Sequence, residues 1–105
     1  MTSSPDEIRN RLSQEKGTID WPFLQVHARA ENLIIVGTGL NLLDVAVAIA
    51  TDDAAQIHTL LSDGNIHKPS PSEQSALQNT QGAYFEFVIV APFVVAQQIQ
   101  LNGLE

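Results

Sequence analysis

The chain of 105 residues contains no cysteine, which excludes disulfide bonds, thiolate metal ligands and cysteine nucleophiles. Its five basic residues stand against 12 acidic ones, giving a formal net charge of −7. Nucleic acids and anionic membranes are bound mainly by clustered Lys and Arg side chains, so we expect neither as a partner. No apolar run approaches the ~20 residues of a membrane-spanning helix, and the first residues lack a signal-peptide pattern. These absences predict a cytoplasmic protein.

What remains is an ordinary globular composition, with 44% apolar residues. A chain of this length can bury roughly two-thirds of its unfolded surface, which is enough for one self-sufficient core. We therefore expect a single domain over residues 1–105, with loose ends at residues 1–5 and 102–105.

The strongest structural signal is the aromatic and β-branched segment from Ala83 to Ala96, which Pro92 divides. In a strand, side chains alternate between faces, so one face of this segment is wholly apolar and carries Phe85, Phe87 and Ile89. The opposite face begins polar and becomes apolar. Both faces therefore need cover, from helices, another strand or another subunit.

These patterns predict an α+β fold in which four or five helices pack a small, mostly antiparallel sheet. Pro92 cannot donate a hydrogen bond within a sheet, and it separates two of the predicted strands. The strands are expected at residues 33–36, 65–68, 84–91 and 93–99.

Most helix starts carry a capping residue. Ser4 and Ser70 each begin a Ser-x-x-Glu pattern, and Asp20 and Asp52 precede two further helical segments. The helix after Asp52 is expected over residues 53–62, with Ala54, Ile57 and Leu61 facing inward and Gly64 at its end.

The segment from Asn41 to Ala50 has two readings. Asn41 and Asp44 resemble a helix start, and Leu42, Val45, Ala46 and Ile49 form a helical stripe. A buried strand would also fit, because valine and isoleucine alternate with alanine. We favour the helix, since alanine is a poor strand former.

Five short segments form a pattern that is moderately specific as a set: Ile19-Asp20-Trp21, Leu42-Leu43-Asp44-Val45-Ala46, Asp52-Asp53, Ser62-Asp63-Gly64 and Val90-Ala91-Pro92-Phe93-Val94. The pattern resembles a small family of proteobacteria and cyanobacteria catalogued as domain of unknown function 2288, over residues 6–98. The resemblance implies a compact, acidic, cytosolic single domain and supplies no activity, cofactor or site. Where the family more often has tryptophan, this chain has Leu60 and Phe93, which fits packing better than chemistry.

Two weak patterns point to a ligand. Gly37, Thr38 and Gly39 form a glycine-rich turn after a strand, but the third glycine of a dinucleotide fingerprint and the lysine of a phosphate loop are missing. Trp21, the only tryptophan, is expected in the core, with ligand stacking as the alternative. No cofactor is predicted.

A metal site would draw on the densest acidic set, Asp44, Asp52 and Asp53, with His58 nearby in sequence. The competing interpretation makes these carboxylates helix caps and gives the histidine a solvated surface position. No serine lies in a nucleophile elbow, so nothing supports covalent catalysis.

Two functions follow as hypotheses. The first is a non-catalytic interaction or scaffolding module, a homodimer or the binder of a protein partner, with interface candidates Val88, Val90, Phe93 and Val95 on the long C-terminal strands. The alternative is a protein that binds a small ligand or a divalent metal, with or without a hydrolytic activity.

Overall fold

The computed structural model describes residues 4–80 and 83–99. The expectation of loose ends at residues 1–3 and 102–105 lies outside the described residues, whereas Ser4 and Pro5 begin the first helix. In chain order the described elements are α1 (Pro5–Glu15), β1 (Gly17–Asp20), α2 (Trp21–Arg29), β2 (Leu33–Val36), α3 (Leu42–Ala50), α4 (Ala54–Ser62), β3 (Ile66–His67), α5 (Pro71–Gln78), β4 (Tyr84–Val90) and β5 (Phe93–Ile99). Within these ranges, no helix is long and apolar enough to cross a bilayer.

The strands form one sheet in the order β1-β4-β5-β2-β3. Three neighbouring pairs are antiparallel, and β2 runs parallel to β5. The predicted α+β class is confirmed, although the sheet is mixed rather than mostly antiparallel. The β4–β5 hairpin, whose turn holds the cis Ala91–Pro92 peptide, occupies the centre, with Val88 opposite Val95.

One strand, β1, was not predicted. It has four residues between two helices and no apolar run, so it resembles a connection when it is taken alone. It forms by pairing with β4, where Gly17 lies opposite Phe87. A Cβ atom at Gly17 would lie 3.0 Å from Cε1 of the Phe87 ring, so glycine lets the aromatic ring cross the strand.

The sheet is covered on both faces, as the apolar pattern of the C-terminal segment requires. Side chains of successive strand residues enter two different cores. The first core lies under α2 and α5, and its buried members are Trp21, Leu24, Ala28, Leu33, Ile35, Ala83, Phe85, Val94 and Ala96. The second lies under α1, α3 and α4, and its buried members are Leu12, Val36, Leu42, Val45, Ala46, Ile66, Val88 and Val95.

The helix starts follow the predicted caps in most cases. Ser4 and Glu7 form a complete capping box, and the Ser70 hydroxyl accepts a hydrogen bond from the Glu73 amide at 3.1 Å. Segment 42–50 is a helix and not a strand. Asn41 caps it, since its Oδ1 accepts a hydrogen bond from the Leu43 amide at 2.9 Å. Asp20 occupies the cap position of α2 without a side-chain hydrogen bond.

The assignment of Asp52 as a helix cap was wrong. Asp53 caps α4, since its Oδ1 accepts from the Gln56 amide at 3.2 Å. Asp52 instead ends α3: its φ is +57°, its amide donates to Ile49 O, and the Asp53 amide donates to Ala48 O. This is a Schellman ending, which normally favours glycine. The end of α4 has the same arrangement with Gly64 at φ +75°.

We predict that Asp52→Gly raises the free energy of unfolding by roughly 0.5–1 kcal/mol. A left-handed φ is unfavourable for a residue with a Cβ atom and costs glycine little. The measurement is urea denaturation followed by circular dichroism.

The matched control is Asp63→Gly, at the end of α4, where φ is −81°. Glycine gains nothing at a right-handed position and adds unfolded-state entropy, so this variant should be less stable than the wild type. Equal effects of the two substitutions would contradict the assignment.

Candidate functional site

The glycine-rich turn is held by hydrogen bonds within the chain. The Gly37 amide donates to Asn65 O at 2.8 Å, and the side chain of Gln97 donates through Nε2 to Gly37 O at 2.7 Å and to Leu40 O at 2.6 Å. Thr38 and Gly39 are exposed. At the start of α3, two amides that an anion would use already donate to the Asn41 side chain. The turn therefore has a structural account that needs no phosphate.

Trp21 lies in the first core and is only 2% exposed. Its ring packs on Phe85 with centroids 6.1 Å apart and planes at 45°. Stacking on a ligand would require an exposed ring face, so the geometry fits the core interpretation. The indole Nε1 has no hydrogen-bond partner among the described residues. Trp21 also lines a surface cleft of about 430 Å³, together with Gln25 and Gln78, whose side chains are joined by a 3.1 Å hydrogen bond.

The four candidate metal ligands do not form one group, although Asp44 and Asp53 line the same cleft beside Arg9. Asp44 forms an ion pair with Arg9, Asp53 caps α4, and Asp52 ends α3. His58 is exposed on α4. In the described part of the chain, no three His, Asp or Glu side chains are grouped as a metal site would require.

The four interface candidates divide into two pairs. Val88 and Val95 are 0% exposed, because α1 and α3 of the same chain cover them. A partner therefore does not reach these two residues in the folded chain. Val90 and Phe93 are half-buried and lie opposite each other at the turn end of the hairpin.

Phe93 belongs to an apolar groove that we call the α4 groove. It is an open depression of about 230 Å³ where the second core reaches the surface. Strands β2, β3 and β5 supply one side and helices α3 and α4 the other; the lining side chains are Ile34, Ile49, Ile57, Leu61, Ile66, His67, Lys68 and Phe93.

Sequence reasoning missed this groove because it predicted the bounds of α4 but not which of its faces points inward. Leu61 and Ala54 were expected to face inward, yet both are exposed, and Leu61 retains 54% of its surface. Ile57 and Leu60 are half-buried, and none of the residues of α4 is fully buried. The adjacent pair Leu60-Leu61 carried the available signal, since neighbouring helical residues point about 100° apart and cannot both enter a narrow stripe.

The fold and this groove define a class: a small α+β domain with a two-sided mixed sheet, an open apolar groove and no convergent metal-ligand group among the residues described. The chain belongs to the family described as "Protein of unknown function (DUF2288)", whose profile matches residues 7–98. The family that the sequence pattern resembled is thereby confirmed.

A solved structure with the same fold is the NMR solution structure of PA1075 from Pseudomonas aeruginosa. The two chains are 28% identical, and the similarity covers 97% of this chain and 94% of that one with a TM-score of 0.78. Among curated proteins, none matches this chain.

The Gln97 side chain generates a testable prediction about the turn. It is 8% exposed and supplies the donor for two carbonyl groups. Gln97→Glu would replace that donor with a carboxylate oxygen facing both carbonyls, so we expect a loss of about 2 kcal/mol or more in unfolding free energy. The measurement is urea denaturation near neutral pH.

Gln98→Glu is the control, because it adds the same charge at the next residue, which is exposed. Its stability should stay within about 0.5 kcal/mol of the wild type. If both variants lose the same amount of unfolding free energy, the loss comes from general charge repulsion and not from the missing donor.

Proposed function

We propose that this protein is a non-catalytic interaction module that acts as a cytoplasmic homodimer, with the α4 groove as its contact surface. The observation that carries the proposal is the exposure of apolar side chains around α4. Leu61 is 54% exposed beside the half-buried Ile49, Ile57 and Phe93. An apolar depression with an exposed leucine at its rim is typical of a surface that another protein covers.

The charge distribution supports a second copy as the occupant. Each chain carries a net charge of −7, so two copies repel each other over most of their surface. The groove lining contains no Asp or Glu and includes Lys68 and His67. A contact here therefore keeps carboxylates out of the interface.

A twofold contact also fits the shape of this surface. In a symmetric dimer each chain presents the same patch, so the exposed Leu61 of one copy can enter the groove of the other, and the reverse. The groove alone is smaller than a stable interface, and the outer surface of α4 would have to contribute. None of the residues of α4 is fully buried in the monomer, so its surface is available.

This surface differs from the one that the sequence suggested. The sequence placed the interface candidates on the C-terminal strands, but β4 pairs with β1 over residues 84–87 and β5 with β2 over residues 94–97. Most apolar side chains of both strands lie under helices of the same chain. Of the original candidates, Phe93 lines the groove and Val90 is its cross-strand neighbour.

The test is Leu61→Glu. A carboxylate that enters the apolar groove of the other copy loses its water there, so we expect the dimer to dissociate. Leu61 is more than half exposed, and the monomer should therefore remain folded. Analytical ultracentrifugation over a hundredfold concentration range should give twice the mass of one chain for the wild type and a single-chain mass for the variant.

Val26→Glu is the matched control. Val26 is 67% exposed on α2, on the opposite side of the sheet, and the substitution adds the same charge. It should leave the dimer intact. A wild type that stays monomeric at all concentrations contradicts the proposed dimer, and dissociation by Val26→Glu alone would move the contact to α2.

A further inference from the structure

On the other side of the sheet, where α2 ends, lies a cleft of about 310 Å³ that we call the Arg29 cleft. It is bounded by the end of α2, the start of β2 and the segment that enters α5. Its lining combines four apolar residues with four polar ones: Ala28, Leu33, Pro69 and Pro71, with Arg29, Glu31, Lys68 and Gln74.

Two basic side chains meet in this cleft, although they are 39 residues apart in the sequence (68 − 29). Arg9 is paired with Asp44, and Lys16 lies 3.6 Å from Glu86. Within residues 4–80 and 83–99, Arg29 and Lys68 form no ion pair. A chain with a net charge of −7 thus brings two of its five basic side chains, both unpaired, to one concave surface.

The floor of the cleft is preformed. Leu33 is 0% and Ala28 6% exposed, so both are fixed in the first core. Gln74 Nε2 donates a hydrogen bond to Pro69 O at 3.1 Å, which links helix α5 to the segment that precedes it on one side of the cleft. Glu31 ends α2 in a Schellman arrangement, with φ +63° and its amide donating to Ala28 O. A rigid apolar floor beneath charged rim groups is what a small amphiphilic ligand requires.

We propose that the Arg29 cleft binds a small organic monoanion, a carboxylate with a short apolar body. The apolar body lies on Ala28 and the two prolines, above the fully buried Leu33, and the carboxylate lies between the side chains of Arg29 and Lys68. Glu31 shares the rim, so two cations and one carboxylate leave a net charge of +1. A monoanion neutralises that charge, whereas a phosphate ester, which carries up to two negative charges near neutral pH, leaves an excess negative charge beside Glu31.

The cleft and the proposed dimer contact share Lys68, whereas Arg29 and Glu31 lie outside the α4 groove. Lys68 lines both surfaces and is therefore left unchanged in the test. The decisive side chains are Arg29, which attracts the anion, and Glu31, which repels it.

The first experiment is a titration of the ¹⁵N-labelled full-length protein with hexanoate, followed by amide shifts in two-dimensional NMR spectra. Hexanamide has the same apolar body without the charge, and acetate has the charge without that body. We expect hexanoate to bind more tightly than either, with the largest shifts at the amides of Arg29, Lys68 and Gln74. Equal binding of hexanamide, or shifts that map elsewhere, would overturn the proposal.

Three variants test the charges. Arg29→Gln should weaken hexanoate binding by roughly two- to fivefold, the size expected for one exposed ion pair, and Glu31→Gln should strengthen it by a similar factor. Arg11→Gln removes the same charge from an exposed position on α1, across the sheet, and should leave the affinity unchanged. Arg29→Lys should keep most of the affinity. The proposal fails if Arg11→Gln weakens binding as much as Arg29→Gln, or if Glu31→Gln has no effect.

Discussion

The β4–β5 hairpin is the element on which the rest of the structure depends. It lies at the centre of the sheet, and its buried apolar side chains enter both cores, so both of its faces need cover. Burial of each large apolar side chain contributes roughly 1.5–3 kcal/mol, and Phe85, Val88 and Val95 are all at most 1% exposed. The helices must therefore divide into two layers, with α2 and α5 on one face and α1, α3 and α4 on the other.

The two layers do not cover the sheet equally, and the proposed binding surfaces occur where cover is incomplete. The α4 helix is well capped but none of its residues is fully buried, which leaves the second core open at the α4 groove. On the opposite face, the gap between α2 and the entry to α5 leaves the Arg29 cleft. Both surfaces have core side chains as their floor, so their shape is fixed by the same packing that stabilises the fold.

Charge separates the two surfaces chemically. In a strongly acidic chain, Arg9 and Lys16 pair with carboxylates, whereas Arg29 and Lys68 form no such pair within the described residues. The α4 groove lacks carboxylates and is almost wholly apolar, which suits contact with another protein molecule. The Arg29 cleft combines an apolar floor with a positive rim, which suits a small anion. The acidic side chains of the metal hypothesis lie at helix ends: Asp44 pairs with Arg9, Asp53 caps α4 and Asp52 ends α3.

The sequence by itself determined the features that depend on neighbours within about four residues or on alternation along one strand. These include the caps at Ser4, Asn41 and Ser70, the core position of Trp21, the two-sided C-terminal strands and the family. The tertiary structure alone decided the strand order, the parallel pairing of β2 with β5, the presence of β1, and the exposure of Leu61. It also brought Arg29 and Lys68 together. Hydrogen bonds and side-chain periodicity act locally, whereas strand partners and helix docking depend on which distant surfaces bury the most apolar area, and no short segment carries that information.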